Sequence, residues 1–238
     1  MNLPKSHPRG ALYFAASHIG CLRDIPQRTL EILQKADLLV FEDARQARQL
    51  LKQAGVHRPF LQFSEHKEIE GLEAVKKALQ KNQTVAYVSD QGCPNLADPG
   101  RELLEIAYQL RSHVHVIPGP SSITSALAVC PFDVTQFYFG GFLPRQQEKR
   151  LAQIRSLLER REAVVLLETP YRRQAFLEDF CTVLGSEARR GFLAFDITGE
   201  EERFFLGSLL QVRTQTETLG KKNFVFIMEG KARPHRVA

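Results

Sequence analysis

The sequence predicts an α/β protein of two domains, with a mostly parallel sheet in the N-terminal domain and a mixed sheet in the C-terminal one. Three observations lead there. Short apolar runs of strand length alternate with amphipathic segments of about 8–12 residues, the rhythm of a parallel sheet covered by helices on both faces. The turns that end several of those runs are dense in Gly and Pro, as at Gly92–Pro94, Pro99–Gly100 and Pro118–Pro120. Between Pro118 and Pro144 the periodicity lapses, which places the junction there, with residues 1–119 in the first domain and 120–238 in the second.

Each element has its own justification. Ala11–Ser17 reads as the first strand, Gly20 turns the chain, and Pro26 suits a first helical position ahead of a helix over Thr29–Ala36. Asp37–Phe41 is a second apolar run, and a helix from Ala44 ends at Gly55, a residue that accepts a left-handed C-terminal turn. Phe60–Phe63 is a short strand, and Leu72, Val75 and Leu79 mark one face of the next helix. Thr84–Ser89 is a strand that breaks into the turn-rich stretch Asp90–Gly100. Leu103, Ile106, Ala107 and Leu110 then form a helical stripe. Val114–Ile117 is a strand, followed by a helix over Ser121–Val129.

The later half continues with a strand at Phe137–Phe142 and an amphipathic helix carrying Leu151, Ile154, Leu157 and Leu158. Ala163–Glu168 reads as a strand, Tyr171–Leu184 as a helix and Gly191–Asp196 as a strand. Glu202–Gly207 and Asn223–Met228 are two further strands, suited to antiparallel pairing.

Composition excludes several classes. With 238 residues, 43% hydrophobic and 25% charged, the chain is ordinary globular material, neither disordered nor collagen-like nor a disulfide scaffold. No apolar run approaches the ~20 residues of a membrane span. The polar, basic start from Met1 to Gly10 shows no signal-peptide core, so a cytoplasmic location is expected. The net charge of +5 is spread over both halves, which permits an anionic substrate without marking a dedicated nucleic-acid module. Cys21, Cys93, Cys130 and Cys181 are widely separated, with no His at zinc-ligand spacing, and no metal is expected.

Five segments carry the candidate chemistry. Ser89-Asp90-Gln91-Gly92-Cys93-Pro94, running on to Asp98-Pro99-Gly100, follows an apolar strand at the end where open α/β sheets place ligands. Its glycines and prolines fix an irregular backbone that offers N–H and C=O groups, and Asp90 and Asp98 are acceptors for hydroxyl or amine donors. The same residues would also make an ordinary strand-to-helix loop. Pro118-Gly119-Pro120-Ser121-Ser122 repeats the arrangement after the next strand, and its serines would equally serve as helix caps. Neither serine sits in a nucleophile-elbow context. Glu42-Asp43-Ala44-Arg45 follows the second strand, where the acids would orient a substrate hydroxyl or simply open a helix. His66, within Ser64–Glu68, also follows a strand end. Arg145–Arg161 is rich in basic residues, suited to phosphates or to a solvated helix face.

With those loops in place, the chain resembles the tetrapyrrole methylase superfamily of S-adenosylmethionine-dependent methyltransferases from about Gly10 to Gly230. Within it, the chain is most similar to the bacterial branch that methylates a cytidine ribose 2′-hydroxyl in small-subunit ribosomal RNA. The carrying residues are Gly10–Tyr13, Ile19-Gly20 with Asp24-Ile25, Glu42-Asp43 with Arg45, Ser89-Asp90 with Gly92, and Pro94. Asp98–Gly100, Pro118–Ser121, Gly141–Arg145 and Glu168 with Pro170 and Arg172 complete the series. The resemblance implies two α/β domains with the cofactor held between them, usually in a homodimer.

For S-adenosylmethionine it implies contacts from Ile19, Asp90, Gly92, Cys93, Pro94, Ser121, Ser122, Ile123, Phe142 and Leu143, with Thr198 near the adenine. Glu42, Asp43, His66 and Glu68 are the residues expected to orient or deprotonate the acceptor, with Arg45 or Arg145 on a phosphate. Arg145, Lys149 and Arg150 are expected to meet RNA phosphates. Departures fall on the acceptor side. The branch's His-Asn-Glu is His66-Lys67-Glu68 here, its Thr-Arg pair is Ala44-Arg45, and its Ser-Pro-His-Arg is Thr169-Pro170-Tyr171-Arg172. The expected function is therefore methyl transfer to ribosomal RNA. The alternatives are a tetrapyrrole or other small-molecule acceptor, or a cofactor-binding protein without catalysis.

Overall fold

The computed structural model describes residues 10–63, 68–185 and 189–231. The chain divides into two compact units, residues 1–121 and 122–238.

The first unit is a parallel five-stranded sheet in the order β3-β2-β4-β1-β5. Its strands are β1 (Ala11–Ala15), β2 (Leu38–Phe41), β3 (Leu61–Gln62), β4 (Thr84–Val88) and β5 (His113–Ile117). Alternation along each strand divides the side chains between two layers. Tyr13, Ala15, Leu39, Phe41, Ala86 and Val88 pack under α1 (Gln27–Lys35) and α2 (Ala44–Gln53). Leu12, Phe14, Val40, Val85 and Tyr87 pack under α3 (Glu68–Gln80) and α4 (Arg101–Gln109). Strand β1, interior to the sheet, is buried throughout, which is why ALYFA reads as a continuous apolar run.

Local chemistry sets the element ends. Asp43 caps α2, its Oδ1 accepting the N–H groups of Arg45 and Gln46 at 2.9 Å each. Pro26 precedes α1 as its cap residue rather than occupying the first turn, so that helix starts two residues earlier than expected. A 3₁₀ turn at Leu22–Asp24, unforeseen from the sequence, bridges β1 and α1.

The second unit contains α5 (Ser122–Val129), β6 (Phe137–Phe142), α6 (Gln147–Leu158), β7 (Ala163–Glu168) and α7 (Arg173–Leu184). It continues with β8 (Arg190–Phe195), β9 (Arg203–Ser208), α8 (Leu209–Gln215) and β10 (Phe224–Met228). Its mixed sheet runs β6-β7-β10-β8-β9, with β6 parallel to β7 and the other neighbours antiparallel. The long helix expected from Tyr171 is a 3₁₀ turn, Pro170–Arg172, followed by α7. The proline at its first position suits that turn. Helix α8 was not anticipated. A capping box between Ser208 and Gln211 starts it, and Leu209 and Val212 anchor it in the core.

Candidate active site

The topology of the first sheet locates a crevice. Helices α1 and α2 carry the chain from β1 to β2 and on to β3 along one face. Helices α3 and α4 carry it from β3 to β4 and on to β5 along the other. The loops leaving adjacent strands β2 and β4 therefore diverge, and ligands of open α/β sheets bind outside the carboxyl ends at such a point. Glu42-Asp43 follows β2 and Ser89-Asp90 follows β4.

Four carboxyl groups gather there. The Asp43 N–H donates to Asp90 Oδ1 at 3.2 Å, so the residue that caps α2 also holds the acid of the neighbouring loop. Burial pushes the Asp90 carboxyl up to about 6. The Asp43 N–H opposes this, and the charges of Glu42 and Asp43 add to it. Burial also raises the Asp98 carboxyl, with hydrogen bonding to the Ser89 and Glu42 side chains acting against it and the Asp90 charge reinforcing it. Asp98 Oδ2 is fully shielded and finds no well-aligned donor, although those two side chains lie against the carboxyl. Beneath them the Tyr87 hydroxyl donates to Pro99 O at 2.9 Å. Burial raises that phenol far above its ordinary range, with Asp98, Glu42, Asp90 and Glu102 adding to the effect. A carboxylate titrating near neutrality beside a crevice is suited to accept a proton from a hydroxyl.

A second set of contacts joins the loops after β1, β4 and β5. Ser17 N donates to Gly92 O at 2.9 Å, Gly92 N to His18 O at 2.8 Å, and Ser17 Oγ to Asp90 O at 3.1 Å. Cys93 Sγ approaches Pro120 O at 3.5 Å and Gly119 O at 3.8 Å. Gly92 has φ +76°, and a Cβ there would stand 3.3 Å from Ile19 Cγ2 and 3.5 Å from Pro120 O. At Gly119 a Cβ would meet Ala16 Cβ and Pro26 Cγ at 2.7 Å. Ile19, Asp90, Gly92, Cys93 and the Pro118–Ser121 loop thus come together around bare backbone, with Pro94 following on the same loop. His18, which sequence reading passed over, is buried here, and burial lowers its pKa against the opposing charge of Asp24. Its only sequence signal was its position between the Ser17 strand end and Ile19.

The remaining expected residues are placed individually. Arg45 is exposed in the first turn of α2. His66 lies outside the described residues, and Glu68 is the first residue of α3. In the second unit, Ser122 and Ile123 open α5. Phe142 ends β6 with 49% exposure, just after a register shift where Gly141 takes φ +62°. Leu143 points into the core, so only its backbone remains to meet a ligand. Thr198 has φ +60°, and its N–H donates to Glu202 Oε2 at 2.6 Å.

Arg150 corrects an expectation. It is buried, ion-paired to Asp179 at 2.5 Å, and donates to Pro144 O and Arg145 O at 3.2 and 2.8 Å. Its guanidinium is consumed in bracing the loop after β6 and does not reach phosphates. Arg145 and Lys149 are exposed. Among the described residues, no group of three or more His, Cys, Asp or Glu side chains is arranged to hold a metal ion.

The family model for tetrapyrrole (corrin/porphyrin) methylases matches residues 11–212. The chain belongs to this family. It is accordingly a methyltransferase. This methylase is 34% identical over 208 residues to the ribosomal RNA small subunit methyltransferase I of Thermotoga maritima, covering 87% of this chain and 92% of that protein. It is 32% identical to the proteins of the same name from Leptospira borgpetersenii and Escherichia coli O157:H7. Those matches cover 94% and 93% of this chain, and 89% and 78% of the relatives. The matched stretch takes in every strand of the methylase's first sheet and the Asp90 and Gly92 loop.

Proposed function

We propose that this methyltransferase moves a methyl group from S-adenosylmethionine to a ribose 2′-hydroxyl of small-subunit ribosomal RNA. The observation that carries this reading is Asp90. It is a carboxyl at the β2/β4 crevice, titrating near 6 and oriented by the Asp43 amide. The name shared by the relatives supports the RNA acceptor.

The residues present fit the cofactor. Gly92 and Gly119 leave open backbone where a Cβ would crowd Ile19, Pro120, Ala16 and Pro26. When bound, S-adenosylmethionine would supply an electrophilic methyl for the ribose oxygen, leaving S-adenosylhomocysteine as the product. Asp90 accepts the hydroxyl proton as that oxygen forms its new bond. Glu42 and Asp43 keep Asp90 basic through their charges, and the Asp43 N–H fixes which oxygen faces away from the proton. Arg45, exposed in the first turn of α2 at the same strand end, would meet a phosphate of the acceptor. Holding acceptor oxygen and methyl carbon in line contributes much of the acceleration.

The test is direct. Purified protein is incubated with S-adenosylmethionine and unmodified small-subunit ribosomal RNA, and the digested nucleosides are weighed by mass spectrometry. One new 2′-O-methylated nucleoside is expected. Methyl on a base, or none on RNA, would overturn the reading.

A further inference from the structure

Resting on the ribosomal RNA reading, we propose that Tyr171 is a stacking platform for an unpaired base of the RNA substrate, with Lys221 against its ring and Arg145, on the loop tied to its turn, to meet the flanking phosphates.

Tyr171 sits in the 3₁₀ turn Pro170–Arg172 directly after β7, and its side chain is 77% exposed. A large aromatic ring left in water and anchored on a rigid turn needs a reason, and two contacts supply the rigidity. On one side, Arg172 reaches Glu168 Oε2 at 3.2 Å and donates to Pro144 O at 3.3 Å, tying the turn to the loop that carries Arg145. On the other side, Arg173 donates to Gly220 O at 2.8 Å and Leu219 O at 2.7 Å, tying it to the turn that carries Lys221. The tyrosine backbone is therefore pinned between two cation-bearing segments.

The electrostatics agree. Lys221 Nζ lies 4.7 Å from the Tyr171 ring centroid. One ammonium covers one face, leaving the other open to a flat partner. Among the described residues, Arg145, Lys149 and Lys221 make no ion pair with a carboxylate. Glu168 is fully shielded against Arg172, Asp179 is locked to Arg150, and Glu201, beside the Gly220 turn, is paired with Lys222. Glu148, beside Lys149, is exposed. Cations around an open aromatic face are the arrangement that grips single strands, since every base has a π-face and every nucleotide a phosphate.

The experiment measures binding of a labelled single-stranded fragment of small-subunit ribosomal RNA by fluorescence anisotropy across a salt series. Tyr171→Ala is expected to weaken binding about ten-fold or more, with the salt slope unchanged. Tyr171→Phe keeps the ring and is expected to bind as wild type. Lys221→Ala is expected to flatten the slope by about 0.7, the value for one phosphate on a single strand. Affinity for S-adenosylmethionine and the thermal midpoint should not move in any of the three. Wild-type binding with Tyr171→Ala indistinguishable from it overturns the platform alone. A wild-type protein that binds no RNA overturns the ribosomal RNA reading and the platform with it.

Discussion

The Asp43 amide and the Asp90 carboxylate, 47 residues apart in sequence, meet at 3.2 Å across the gap between β2 and β4. Because Asp43 also caps α2, the position of the Asp90 acid is tied to the helix start. The register pairing Phe41 with Val88 puts both residues two steps beyond their strands and makes the meeting unavoidable.

That relationship predicts an inverted pH effect on stability. Asp90 titrates near 6 in the fold and at an ordinary low value when unfolded, so its ionised form opposes folding. The penalty is absent below about pH 4 and fully present above about pH 6. Asp90→Asn keeps a carbonyl acceptor for the Asp43 amide and removes the charge. It should be more stable than wild type by ~1 kcal/mol at pH 8, a figure reduced for the group's partial exposure, and equal to it at pH 4. Urea unfolding at the two pH values measures this.

The same carboxyl governs the rate. If Asp90 takes the hydroxyl proton, kcat should rise with pH and level off above about 6, following one ionisation. Asp90→Asn should lower kcat by about 10²-fold while leaving affinity for S-adenosylmethionine within a few-fold. A single-turnover pH series on both proteins checks it.

The two loop glycines should fail differently. Gly119→Ala would press a methyl against Ala16 and Pro26 at 2.7 Å and should cost ~1–3 kcal/mol of stability. Gly92→Ala meets milder contacts but must hold φ +76°, at ~1–2 kcal/mol, and its larger effect should fall on cofactor affinity. Thermal scans beside calorimetric titrations separate the two outcomes.

Arg150 and Arg145 should behave oppositely despite their proximity. Arg150→Ala leaves Asp179 buried and unpaired and should destabilise the protein by ~3–5 kcal/mol, while Arg150→Met combined with Asp179→Leu recovers most of that. Arg145→Ala should leave stability unchanged and reduce the salt slope of RNA binding by about 0.7. Denaturant curves and salt titrations on the same variants make the comparison.

The sequence exposed the strands well because burial on both faces leaves continuous apolar runs, as in ALYFA and TVAYV. It exposed the Asp90–Gly92 and Pro118–Ser121 loops because Gly and Pro mark irregular backbone whatever its purpose. Helix α8 stayed hidden, since it is short and its start depends on a side-chain exchange between Ser208 and Gln211 that composition does not show. Arg150 was misread for a related reason. A basic residue in a basic run looks solvated until Asp179, 29 residues away, is seen beside it. The tie between Asp98, Glu42 and Ser89 depends on strand order, which local pattern does not contain. The matched family and its relatives agree with the resemblance read from the motifs.

The most direct measurement is the nucleoside composition of small-subunit ribosomal RNA from a strain lacking this gene, complemented with wild type or with Asp90→Asn at equal protein levels. One ribose-methylated nucleoside should disappear on deletion, return with the wild type and stay absent or strongly reduced with Asp90→Asn. Ribosomal RNA unchanged by the deletion, or full restoration by Asp90→Asn, would contradict it.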